Sequence, residues 1–164
     1  RHYETGAPIP RSLVAKLEAA RNFNQGFATV EYTACALLDI ALHSLADPAG
    51  LDVSRFEADT LAAIGMPREI VMRHRLPHFM HIMGGYAAGY YSYLWSEVMD
   101  ADAFAAFEET GDVFDKPTAR KLARHIYAAG NRRDPLKAYI AFRGRPPEIG
   151  PLLRKRGLVA AADV

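Results

Sequence analysis

The stretch 78-HFMHIMGGYAAGYYSYLW-95 decides how this chain is read. It carries His78 and His81, glycines at 84, 85 and 89, the tyrosines Tyr86, Tyr90, Tyr91 and Tyr93, and the only tryptophan, Trp95. A helix beginning near Gly85 would put Tyr86, Tyr90 and Tyr93 on one face, four and three residues apart, with Glu97 extending it. Ala88, Tyr91 and Trp95 would then fall roughly opposite, toward a core. Ala87, Ala88, Gly89 and Ser92 add little bulk, so another segment can approach closely. A glycine inside a helix costs about 0.5–1 kcal/mol against alanine, which a tight contact would offset. The stripe has two uses. Tyrosines commonly pack their rings inward and send hydroxyls to solvent or carbonyls. A row of phenols can instead line a cleft, where a pKa near 10 keeps them protonated and able to donate to an oxygen that becomes negative. Spacing alone leaves both open.

Outward from this stretch the pattern is helical, and the predicted fold class is all-α, an irregular multi-helix assembly. A first helix is expected from Pro10 to Arg21, interrupted by "FNQG", and a longer apolar one from Ala28 to Leu45. Ser54 and Glu57 fit a capping box, with Gly65-Met66-Pro67 as the stop. The tyrosine helix should continue to Glu109. Asp115 with Pro117, and Asp134 with Pro135, mark two further starts, and Gly130 and Gly144 their stops. A last helix is expected from Pro147 to Lys155. A hairpin near Met66 to Arg75 is the one departure from an all-α reading. Residues 1–164 read as one helical domain or a piece of a larger one.

Half of the 164 residues are apolar and the formal net charge is +1. Such a chain can bury a core and lacks the concentrated positive field that nucleic acid requires. The basic run Arg154-Lys155-Arg156 is expected at a solvent-facing helix end. No apolar run is long enough to span a bilayer, so no membrane partner is expected. The single Cys35 lies in an apolar run and should be a buried structural thiol, which fits a reducing, cytoplasmic setting.

Most catalytic designs find no support. His78 and His81 could share a metal on a helix, but no third ligand completes a pattern and HExxH is absent, so no metal is expected within this chain. His2, His43, His74 and His125 are scattered. No serine stands at an elbow, and no Walker or dinucleotide glycine signature occurs.

Several blocks together carry a resemblance: "FNQGFATVEY" (23–32), "LPHFMHIMGGYAAGYYSYLWSEVMDADAFAAF" (76–107), "GN" ahead of "DP" (130–135) and "FRGRPPEIGPLLRKRGL" (142–158). The chain resembles the C-terminal part of the zinc oligopeptidase family that includes thimet oligopeptidase, oligopeptidase A and peptidyl-dipeptidase Dcp. The resemblance implies a largely helical fold with a deep channel, zinc in the complete enzyme, and hydrolysis of short peptides. By the same resemblance Tyr93 is the phenol that stabilises the tetrahedral oxyanion, and His81 the histidine beside it that contacts substrate backbone. Tyr86 and Tyr90 match substrate-contacting tyrosines, and Gly84-Gly85 a loop that adjusts around the peptide. The family's HExxH is expected upstream of Arg1. The chain is therefore expected to be inactive alone and to partner with that upstream segment. The alternatives are a non-catalytic helical peptide-binding or structural module, and a fragment that self-associates through exposed apolar surface.

Overall fold

The computed structural model describes residues 1–159 and has, among them, seven α-helices and no strand. They are α1 (Arg11–Ala20), α2 (Gln25–His43), α3 (Val53–Ala63), α4 (Ser92–Glu108), α5 (Lys116–Leu122), α6 (Pro135–Arg143) and α7 (Gly150–Lys155). The segment 66–75 is irregular rather than a hairpin.

Local chemistry sets several starts. Asp115 accepts from the Thr118 N–H at 2.7 Å and Asp134 from the Lys137 N–H at 2.9 Å, each with a proline in the first turn. Gly144 closes α6 at φ 86°, a left-handed position that a side chain would strain. After α5 the chain widens into a π-helical turn, Ala123–Tyr127. The capping box at Ser54 does not form. Asp52 caps α3 instead, accepting from the Arg55 N–H at 3.0 Å, and Ser54 lies inside the helix.

Glu57 is released for a distant task. Only 4% exposed, it accepts from the Leu76 N–H at 2.9 Å and from Arg75 Nε at 2.6 Å. Two more acids are fully buried, Asp39 on α2 and Asp102 on α4. Burying a charge is tolerable only when charge partners and hydrogen bonds replace the lost water. Asp102 meets that condition through the Tyr139 hydroxyl and Arg145, both at 2.6 Å, with Arg143 Nε at 3.5 Å.

Apolar packing gathers in two places. Ala34, Cys35, Ala36 and Leu38 of α2 pack with Met72, Leu76, Phe79, Ile82 and Tyr90. Val98 and Ala101 of α4 pack with Leu152 of α7. Cys35 is buried as expected, and its burial pushes the thiol pKa up. The basic run at the end of α7 is not simply solvated. Arg156 donates to Thr29 Oγ1 at 2.8 Å and pairs with Glu97, so it ties α7 to α2 and α4.

Much apolar surface stays uncovered. α1 has no buried residue, and Leu17, Phe23 and Phe114 are 65%, 78% and 83% exposed. The accessible surface is 11524 Å², against about 8,100 Å² for a folded monomer of 18.1 kDa.

Candidate functional site

The stretch around the tyrosines is not one helix. Two 3-10 turns, Leu76–His78 and Met80–Met83, lead into residues 84–91, which form successive turns, and α4 starts only at Ser92. The expected start near Gly85 is therefore corrected. The turns close through Gly89 N–H to Tyr86 C=O at 2.8 Å and Ser92 N–H to Gly89 C=O at 3.0 Å. Ala88 sits at φ 55°, the left-handed region that costs an L-residue about 1–2 kcal/mol.

What stops the helix from starting earlier is a side chain from another element. Asp39 Oδ1 accepts from the Ala88 N–H at 2.9 Å and Oδ2 from the Tyr90 N–H at 3.0 Å. The Tyr32 hydroxyl, also on α2, donates to the Tyr90 carbonyl at 2.5 Å. Both backbone groups of Tyr90 are thus taken by α2.

These turns still bring the predicted side chains together. Tyr86 and Tyr93 stack at 5.4 Å between ring centroids, and Tyr93 meets Tyr90 edge-on at 5.6 Å. His81 stands edge-on to Tyr90, Tyr86 and Tyr93 at 5.2, 6.2 and 6.3 Å. Exposure separates their places. Tyr86 and Tyr93 are 45% and 41% exposed and form a rim, while Tyr90, at 4%, is a floor against Phe79. Tyr91 and Trp95, expected in the core, are about half exposed, because the buried face of α4 runs through Val98, Ala101 and Ala105, with Leu94 packed beside it.

His74 joins this group although the sequence left it among scattered histidines. It stacks on Phe79 at 4.9 Å and lies 5.2 Å from His81, ring centre to ring centre. His78 stays exposed, its Nε2 accepting from the Arg75 N–H at 3.3 Å. Gly84 and Gly85 are exposed, and a Cβ on either would meet nothing within 4 Å. Crowding therefore does not demand glycine there.

The group is tuned toward neutral donors. Pairing with the Tyr86 hydroxyl, then burial, raises the Tyr93 pKa above the ordinary phenol value. Burial raises Tyr90 as well, and pushes Tyr32 up to about 12, with Tyr90 adding to the effect. Burial, with His81 and Arg73 nearby, lowers His74 below the usual imidazole value. At neutral pH Tyr32, Tyr90 and Tyr93 therefore keep their protons and can act as hydrogen-bond donors.

The model of peptidase family M3 matches residues 1–158. The chain belongs to peptidase family M3. It is 40% identical to the probable cytosolic oligopeptidase A of Arabidopsis thaliana, over 99% of this chain and 24% of that protein. It is 38% identical to oligopeptidase A of Escherichia coli, over 96% of this chain and 23% of the relative. The dipeptidyl carboxypeptidase of Escherichia coli is 37% identical over 96% of the chain and 24% of its own length. This M3 chain spans about a quarter of the length of the curated relatives it matches. Family M3 implies zinc in a full enzyme. Among the described residues no three His, Cys, Asp or Glu side chains gather to hold a metal ion.

Proposed function

We propose that this chain forms one wall of a peptidase cleft, binding short peptides and stabilising the oxyanion formed as water adds to the scissile carbonyl. The observation that supports it is the convergence of His81, Tyr86 and Tyr93 over Tyr90 in a chain of family M3. In this reading the Tyr93 hydroxyl donates to the developing oxyanion. Tyr86 stacks on Tyr93 and contacts the peptide, and His81 meets the peptide backbone. Tyr90, expected to contact the peptide, is buried here and serves instead as the floor that fixes the other rings, and the open Gly84-Gly85 turn adjusts to the bound chain. A donor aimed at the oxyanion binds the transition state more tightly than the substrate, so it acts on kcat.

The groups that activate water are supplied by a further segment carrying HExxH. The exposed face of α1 and the excess surface suit coverage by such a segment, because uncovered apolar area of this extent favours association. Without that segment, the same surface promotes self-association. A reducing, cytoplasmic setting suits the unpaired Cys35.

The test is peptide hydrolysis with zinc added, by this chain alone and by the chain combined with a separately expressed HExxH-bearing segment. Activity is expected only in the combination, with peptide binding but no turnover by the chain alone. Tyr93→Phe in the combination should lower kcat on the order of 100-fold and leave folding intact. An unchanged rate with collapsed stability would make Tyr93 a packing residue.

A further inference from the structure

We propose that Asp39 is a positioning residue that sets the phenol geometry of the cleft from beneath; the inference rests on the reading of Tyr93 as oxyanion donor. Asp39 is fully buried, so it does not meet substrate. Its two oxygens are committed to the N–H groups of Ala88 and Tyr90, at 2.9 and 3.0 Å. His43 Nδ1 lies 2.9 Å from both Oδ1 and the Asp39 carbonyl oxygen. The turn held in this way separates Tyr86 from Tyr93, the two exposed rings that stack.

Two further observations argue against a merely space-filling acid. Ala88 is held at φ 55°, a conformation that persists in a non-glycine residue when its surroundings impose it. Tyr90 is gripped at its carbonyl too, through Tyr32, one helix presenting both clamps. The neighbours of Asp39 on α2, Leu38 and Ala36, lie in the apolar core. A carboxylate amid such packing requires strong partners, and its backbone partners beyond α2 all lie in the tyrosine turn. Release of the Ala88 and Tyr90 N–H groups would let Ala88 leave the left-handed region and carry Tyr86 away from Tyr93.

The experiment is steady-state peptide hydrolysis by the complete peptidase containing this chain, comparing Asp39→Asn, Asp39→Asn with Ala88→Gly, His43→Ala and Tyr93→Phe. Asparagine offers one acceptor and turns an amide N–H₂ toward the other backbone donor. Asp39→Asn should lower kcat by about 100-fold, as small misplacements of a catalytic geometry do, with KM changed by less than about threefold. Adding Ala88→Gly should restore part of kcat, because glycine reaches φ near +55° without strain. Asp39→Asn with lowered melting temperature but wild-type kcat per folded molecule would make Asp39 purely structural and overturn the inference. If Asp39→Asn does not fold, the partly exposed His43 decides: His43→Ala should lower kcat several-fold, and an unchanged kcat overturns the proposal. Tyr93→Phe at the wild-type rate would remove the reading beneath it and overturn both. A loss of kcat in Tyr93→Phe without one in Asp39→Asn overturns the positioning role alone.

Discussion

Replacement of Asp102 by alanine probes the α4 to α6 junction most directly. Asp102 is fully buried, accepts from the Tyr139 hydroxyl and Arg145 at 2.6 Å, and has Arg143 Nε at 3.5 Å. Removing one partner of a buried ion pair commonly costs about 3–5 kcal/mol, because the remaining charge is left without compensation. Here the lower end applies. Arg143 keeps a two-pronged pair with Glu109, at 2.7 and 2.5 Å, and Arg145 keeps Glu148 at 3.3 Å. The expected loss is therefore about 3 kcal/mol. With a urea slope of about 2 kcal/mol per molar, the midpoint should fall by roughly 1.5 M, read by far-ultraviolet circular dichroism. Arg145→Ala, at a partly exposed position, should cost about 1 kcal/mol, and the double variant should lose less than the sum. Asp102→Ala with a midpoint within about 0.25 M of wild type, or strict additivity, would refute the view that this carboxylate holds the junction.

Other expectations concern pH and backbone. The His74 pKa is lowered in the fold, so the unfolded chain takes up the proton first. Stability should fall as pH drops from about 6.5 through the folded pKa, and His74→Phe should flatten the melting temperature over that window. The Glu109 pKa is held down chiefly by its hydrogen bonds to Arg143. Its contribution is present above the ordinary carboxyl range and lost as pH falls through the lowered value, a slope that Glu109→Gln should remove. Gly157 is at φ 65°, and a Cβ there would stand 2.6 Å from Asn22 Nδ2, whereas Gly111 at φ 77° faces open space. The exposed Asn22 side chain can turn aside, so Gly157→Ala and Gly111→Ala should each cost about 1–2 kcal/mol from backbone strain, both read by urea midpoints.

The features legible in the sequence were those fixed by near neighbours. Asp115 and Asp134 cap the helices their spacing promised, because each acceptor meets an N–H three residues on. The ring cluster was legible too, since turns and a helix bring His81, Tyr86, Tyr90 and Tyr93 to one place by different paths. The start of α4 was not. It is set by Asp39 and Tyr32, 51 and 58 residues from Tyr90, and no local pattern reports a bond that long in sequence. The signal present was an acid inside the apolar run "ALLDIAL". Glu57 misled for the complementary reason: its spacing from Ser54 is right for a cap, but its side chain points to Arg75 and Leu76. His74 gave no sign of its place, since folding of 66–75, which has no period, delivers it to the cluster.

One rod carries Thr29, Tyr32 and Asp39, with about 15 Å of helix axis between the first and last. Their bonds reach Arg156 at the far end of the chain and the turn before α4. Spacing along that rod is therefore a gauge. One residue inserted between Tyr32 and Asp39 would swing the two clamps about 100° apart, and no adjustment of the tyrosine turn could satisfy both. Changes in length belong in the loop 44–52 between α2 and α3, where they would leave the gauge intact, while the stretch from Thr29 to Asp39 tolerates substitution but not a shift in register.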